Sequence, residues 1–343
     1  MRIREHVSLA PYTTFRIGGP ARYFLEARSE ADIREALAFA RDMNIRVFVL
    51  GGGSNVLVAD GGMDALVVRP VMRDLSFHAE DDGTILIAGA GTHWDVVVDA
   101  AAARDLWGIE NLAGIPGSMG GAVVQNIGAY GAELSERFAY ADVLRVDTGE
   151  SVRITPATAA FAYRESVFKR DKNLLITHVA LKLIADSAPN TRYGDLERAR
   201  ESGVPLASPA EVARAVRGIR ARKFPSPGVE GTAGSFFKNP VVSSEEALEL
   251  QKRFPGLPIF PAPAGGRKVP LAWLLDHALS LKGYARGPAR LYEAQPLVLV
   301  ASPGAAAADV DALARDVAKR VFAATGIELE REVEYVGDVE KLF

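Results

Sequence analysis

Apolar positions recur along this chain at two spacings, one helical and one suited to strands, and the switch between them outlines its elements. After Ser29, residues Ile33, Leu37 and Ala40 repeat at helical spacing, and Asp32 stands where a capping box needs its second member. Arg46–Leu50 reads as a buried strand, Gly51–Asn55 as a glycine loop, and Val56–Val58 as a second short strand. Thr84–Ala90 predicts another strand, and Thr92 with Asp95 predicts the cap of a helix from about His93 to Arg104. From about Ala141 to Ile184 short strands alternate with turns.

A second capping box, Ser208-Pro209-Ala210-Glu211, opens a helix whose inward face is Val212, Val216 and Ile219. Pro225 and Pro227 end it and begin a Pro/Gly-rich stretch that reads as a lobe boundary. Beyond it the pattern predicts a helix over Ala272–Leu281, a strand over Pro296–Val300 and a helix over Val310–Phe322, with Val310, Leu313, Val317 and Val321 inward and Gly326 as its C-cap. A closing strand runs from Ile327 to Val336. There is no internal repeat, and the mixture predicts an α+β fold.

The stretch from Gly114 to Gly131 holds six glycines, too many for a helix interior and too long for one turn. Neither it nor Gly51–Asn55 has the spacing of a Rossmann fingerprint or a P-loop. Runs of bare backbone N–H groups nevertheless make concave anion sites, and glycine permits close approach of a diphosphate.

Composition narrows the choice. At 343 residues the chain is longer than one core usually organises. Forty basic and forty-three acidic side chains leave a net charge of −3, which gives no electrostatic footprint for nucleic acid. Without cysteine there is no disulfide, thiolate metal site or cysteine nucleophile. The first fifteen residues lack the apolar core of a signal peptide, and no apolar run approaches the roughly 18 residues that span a bilayer, so the chain reads as cytoplasmic. His6, His78, His93, His178 and His277 show no metal-site spacing, and no metal is expected.

Five segments together resemble the UDP-N-acetylenolpyruvoylglucosamine reductase family: LGGGSNVLV (50–58), IPGSMGGAVVQNIGAYG (115–131), YRESVFK (163–169), AGSFFKNP (233–240) and LEREVEYVG (329–337). Tyr193-Gly194-Asp195-Leu196 resembles the tyrosine-bearing loop of one branch of that family. The resemblance implies a two-lobe FAD-binding module of the vanillyl-alcohol-oxidase type, 1–70 with 326–343 and 71–224, and a C-terminal α/β substrate lobe, 225–325. It implies a reaction of peptidoglycan precursor synthesis, in which NADPH, by way of FAD, reduces the enolpyruvyl ether of UDP-N-acetylglucosamine to the lactyl ether of UDP-N-acetylmuramate. FAD is expected to be held noncovalently, because no histidine stands in the glycine segments for a tether. The partners implied are NADPH and a UDP-sugar, and a monomer is expected.

The resemblance assigns FAD to Gly51, Gly52, Gly53, Ser54, Asn55, Gly114, Ile115, Pro116, Gly117, Ser118, Gly120, Gly121, Ala122, Asn126, Gly128, Ala129 and Arg220. It assigns the sugar nucleotide to Tyr193, Lys223, Asn239 and Gln295. It makes Arg164 and Glu332 the partners of the substrate carboxylate and Ser235 the proton donor. Hydride addition to the terminal carbon of the double bond sends charge toward the carboxylate, so the reaction needs donors there and a proton for the new carbanion. The arginine fork suits a carboxylate, whereas Glu332 helps only when protonated.

Each residue also has an ordinary use. A serine after glycine serves turns, Arg164 can pair with Glu165, Glu332 beside Arg331 and Glu334 can face solvent, and cations in a last helical turn complement its dipole. Two rivals stay open: an oxygen-using FAD oxidase of a sugar alcohol or hydroxy acid, and a flavin-binding module that turns nothing over.

Overall fold

The computed structural model describes residues 2–226, 228–262 and 265–337; Pro227 and positions 338–343 of the expected first lobe lie outside them. Contacts divide the chain into two compact units. Met1–Val7, Ala21–Gly52 and Asp64–Ala221 form one, and Ser8–Pro20, Gly53–Met63 and Arg222–Phe343 form the other. The stretch 225–325 lies within the second unit, as do the described residues from 326 onward.

The first unit has two cores. A four-stranded sheet runs in the spatial order Arg4–Ser8, Pro20–Ala27, Met63–Pro70, Val47–Val49, the last pair parallel. The helix Glu30–Asp42 lies on it because Ile33, Ala36, Leu37 and Ala40 form one apolar stripe, buried with Leu25, Leu66 and Val68. The Ser29 hydroxyl accepts the Asp32 N–H at 3.2 Å, as the capping pattern predicts. The second core belongs to an antiparallel five-stranded sheet, ordered Ser151–Ile154, Phe138–Arg145, Leu174–Leu183, Gly83–Gly89, Leu75–Glu80. The helices Trp94–Ala102, Met119–Val124 and Pro209–Lys223 bury Trp94, Val97, Met119, Val123, Val212, Val216 and Ile219 with Leu86, Val179 and Leu181 of this sheet.

Several local expectations are corrected. Thr92 does not cap its helix: the N-cap is His93, without a side-chain cap bond, and the Thr92 hydroxyl is buried with no partner among the described residues. The extended bridge between His93 and Ser118, in which the Thr92 carbonyl accepts Met119 N–H, carries the chain one residue further before it coils. The glycine-rich stretch does contain a helix, Met119–Val124, because Ser118 accepts the Gly121 N–H and caps it. Between the sheet strands of 138–183 stand two one-turn helices, Pro156–Ala159 and Val167–Arg170, where turns are expected. Gly194–Glu201 is a further helix.

In the second unit, Ala285–Arg286, Ala289–Tyr292 and Gln295–Ala301 form an antiparallel sheet. The helix Ala307–Thr325 covers it through Val310, Leu313, Val317 and Val321, all buried. Gly326, at φ 77°, closes this helix as expected, and the Asp60 carboxylate accepts the Ala307 and Ala308 N–H groups at its start. The helix expected over Ala272–Leu281 is instead one α-turn, Leu271–Trp273, running into a π-helix, Leu274–Ala278. The closing strand is only Glu334–Val336, and it pairs in parallel with Val56–Val58.

Candidate active site

In the first unit the two glycine segments meet backbone to backbone. A Cβ on Gly52 would stand 2.6 Å from Gly117 Cα, and one on Gly51 would stand 2.9 Å from the Ser118 hydroxyl. No side chain fits between these strands of backbone, so glycine is required by the packing itself. The N–H groups of Gly51, Gly52, Ile115, Gly117 and Ser118 donate to no acceptor among the described residues. Gly51, Gly52, Ile115 and Gly117 remain partly open to solvent, while Gly120 and Ala122 are buried and Pro116 is exposed.

Gly114, at φ 71°, is clasped from both sides. Its N–H donates to Asp95 at 2.7 Å, and its carbonyl accepts Arg220 Nε at 3.0 Å. Arg217 binds the same Asp95 through two bonds of 2.9 Å, tying the helix Pro209–Lys223 to Trp94–Ala102. Burial pushes the Asp95 carboxyl up, but Arg217 and the Gly114 N–H outweigh it and hold it below the usual range. Burial lowers the Arg220 guanidinium, which also meets the Tyr130 phenol, and pushes that phenol up to about 12. Asp95 and Arg217 are missing from the sequence assignment; an acid in a helix's first turn signals only the helix dipole, and its distant partner leaves no local pattern.

Arg164 sits on a turn closed by Ala162 and Glu165, which exchange two backbone bonds of 3.0 Å. Its Nη2 donates to the Gly128 carbonyl at 2.6 Å, and Glu165 pairs with Lys169. Asn126 is fully buried, and Gly128–Ala129 pairs with Ala132–Glu133. Tyr193 caps no helix with its side chain; its ring, 47% exposed, meets Tyr130 edge to face at 5.4 Å.

The second unit carries the remaining residues. Gly53, at φ 63°, lies so close to the Tyr12 carbonyl that any Cβ would overlap it, and the Gly53, Ser54 and Asn55 N–H groups donate to no acceptor among the described residues. The segment of Ser235 and that of Glu332, far apart in sequence, are paired: Glu332 N–H donates to the Phe236 carbonyl at 2.8 Å, and Phe237 bridges Arg331. Asn55 Nδ2 donates to the Glu332 carbonyl at 3.0 Å. On its other side Ser235 bridges Val298 of the sheet. The Ser235 hydroxyl is partly exposed and makes no hydrogen bond among the described residues, and Gly234 beside it, at φ 78°, has no atom within 4 Å of where a Cβ would stand. Asn239 Oδ1 accepts Leu271 N–H at 3.0 Å, Gln295 Oε1 accepts Leu297 N–H at 3.4 Å, and Lys223 ends its helix half-buried.

Comparison with known proteins is consistent along the chain. Residues 21–155 match the family model described as an FAD binding domain, and 226–336 match that of the UDP-N-acetylenolpyruvoylglucosamine reductase C-terminal domain. The UDP-N-acetylenolpyruvoylglucosamine reductase of Pseudomonas aeruginosa is 39% identical over 97% of this chain and 98% of its own. That of Chromobacterium violaceum is 40% identical over the same shares. The chain belongs to the UDP-N-acetylenolpyruvoylglucosamine reductase family. Among solved structures of that family, the Thermus caldophilus enzyme covers 98% of this chain and 99% of its own at a TM-score of 0.68 and 27% identity.

Membership in the reductase family makes the chain an FAD-dependent oxidoreductase of the α+β class. The residues fit the cofactor. The N–H groups without acceptors in both glycine segments supply what a diphosphate accepts from, and the absence of side chains along Gly51, Gly52 and Gly117 lets it come close. Among the described residues no three His, Asp or Glu side chains group as metal ligands, and no helix is long and apolar enough to cross a membrane.

Proposed function

We propose that this reductase converts UDP-N-acetyl-3-O-(1-carboxyvinyl)glucosamine to UDP-N-acetylmuramate in the cytoplasm, as a monomer and with NADPH as reductant. Its relatives carry the name of that reaction along nearly their whole length. In this reading 1–70 with 326–343 and 71–224 are the FAD-binding lobes, and 225–325 is the substrate lobe. Bound FAD supplies the hydride that reaches the terminal carbon of the substrate's double bond.

This chain's own residues do the rest. Arg164 meets the substrate carboxylate through its fork, and Glu332 serves the same group as charge builds there. The Ser235 hydroxyl gives its proton to the carbon that bears the carboxylate and the ether oxygen, and the serine regains a proton from solvent. Tyr193, Lys223, Asn239 and Gln295 hold the sugar nucleotide. Gly51–Asn55, Gly114–Ala122, Ala129 and Arg220 hold FAD.

The observation that carries the reading is the pairing of the Ser235 and Glu332 segments, with a serine hydroxyl that makes no hydrogen bond among the described residues, next to a glycine whose Cβ position is open. A hydroxyl kept only for a turn would be spent on a nearby backbone group. The test is anaerobic. NADPH should bleach the flavin of the purified protein, and its colour should return on adding the enolpyruvyl substrate. Recolouring by oxygen alone, with no response to that substrate, would identify an oxidase instead. A colourless protein indifferent to FAD would defeat the reading altogether.

A further inference from the structure

Asn126 and Gly128 stand in a segment assigned to the cofactor, yet the structure ties both to the turn that carries Arg164. Arg164 has φ 59°, in the left-handed region that non-glycine residues seldom enter. Such a conformation persists only where the surroundings over-determine it. Three bonds do so here. Asn126 Nδ2 donates to the Ala162 carbonyl at 3.0 Å, at the start of the turn. Ser166 Oγ donates to the Val124 carbonyl at 2.7 Å, just past its end. Lys169 Nζ donates to the carbonyl of Arg164 itself at 3.0 Å.

Asn126 is 0% exposed and itself left-handed, at φ 42°. Its Oδ1 accepts Ser135 N–H at 3.0 Å, and its Nδ2 also reaches Glu133 at 3.3 Å. Every polar atom of this side chain is therefore engaged within the protein. Gly128 acts on the guanidinium directly. Its carbonyl accepts Arg164 Nη2 at 2.6 Å, and a Cβ at 128 would stand 2.9 Å from Nη1.

We propose that Asn126, Gly128 and Ser166 are positioning residues for Arg164: they fix the turn and the line of its guanidinium, and the Asn126 side chain makes no cofactor contact. The inference rests on the reading of Arg164 as the partner of the substrate carboxylate.

The test is a double-mutant cycle read by calorimetry, using the FAD-loaded protein and UDP-N-acetylmuramate, whose lactyl carboxylate probes Arg164 without turnover. Asn126→Gly and Gly128→Ala are compared alone and combined with Arg164→Ala. Glycine accepts φ 42° without strain, so Asn126→Gly removes the side chain and little else. Gly128→Ala, at a partly exposed position, carries the cycle alone if the buried variant fails to fold. Each single variant should weaken binding about tenfold, in the range of one lost hydrogen bond to a charged group, and should add nothing once Arg164 is gone. Equal losses with and without the arginine mean a general effect on the fold and overturn the proposal, as does wild-type affinity in both single variants. Product binding unchanged by Arg164→Ala overturns the role of the arginine itself, and the proposal with it.

Discussion

Gly52→Ala tests how closely the two glycine segments depend on each other. The added methyl would stand 2.6 and 2.8 Å from Gly117 Cα and C, and 2.9 Å from Ser118 N. Carbon atoms pack at about 3.5–4.0 Å, so one segment must retreat by about 1 Å. All three obstacles are backbone, and no side chain can swing aside to absorb the move. Overpacking of this kind costs about 1–3 kcal/mol. With about 1.4 kcal/mol per tenfold, FAD affinity should fall by about 5- to 150-fold if binding must restore the original spacing. Titration of apoprotein with FAD, followed by quenching of flavin fluorescence, measures this directly. Gly218→Ala is the control. It lies on the helix Pro209–Lys223 with no atom within 4 Å of the new methyl, and should stabilise the fold by about 0.5–1 kcal/mol while leaving FAD affinity unchanged. An FAD affinity for Gly52→Ala within twofold of wild type would refute the argument that backbone contact sets the shape of the cofactor loops.

Three further outcomes are expected. Ser235→Ala should slow reoxidation of the flavin by substrate about 10²- to 10⁴-fold, the usual worth of a general acid, with its reduction by NADPH nearly intact; equal loss in both half-reactions would make the serine merely positional. Asp95→Asn should destabilise the protein at neutral pH, because it weakens the pairing with Arg217. Since folding holds the Asp95 carboxyl below its usual range, this contribution is present above the ordinary aspartate pKa of about 3.9 and disappears as pH falls through the lower folded value. Denaturant melts of the two proteins should therefore converge in acid, and a gap that widens on acidification would reverse the sign. Lys223→Ala should weaken UDP-sugar binding by about 1.5–3 kcal/mol, measured by calorimetry, and an unchanged affinity would reject its assignment.

Much of the local structure was legible because the signal lay within a few residues. Ser29 and Ser208 cap their helices through their hydroxyls as the pattern predicts; Glu211 completes its box by accepting the Ser208 N–H, whereas the Asp32 carboxylate accepts the Arg28 N–H. The inward face of Ala307–Thr325 and its glycine end follow from periodicity alone. What stayed hidden depends on partners far along the chain. Thr92 has every local mark of a cap, yet its role passes to His93 because Ser118 draws the backbone into a bridge. The glycines of 117–121 argue against a helix, and only the cap at Ser118 lets one turn form there. For the candidate site, the glycine loops could be read as an anion cradle from composition. That Asn126 and Gly128 serve an arginine turn could not, because hydrogen bonds to Ala162 and from Arg164 leave no spacing to count.

The parallel pairing of Val56–Val58 with Glu334–Val336 bears on how the chain is made. Phe15, Ile17 and Leu57 belong to a core whose other buried members all come from residue 233 onward. During synthesis on the ribosome these early apolar side chains wait until the chain beyond residue 233 has emerged before their partners exist, which leaves them to chaperones or to non-native contacts meanwhile. A stop codon that removes the final strand should therefore do more than shorten a tail: it strips Val56–Val58 of its neighbour and leaves an open β-edge, the kind of surface on which nascent chains aggregate.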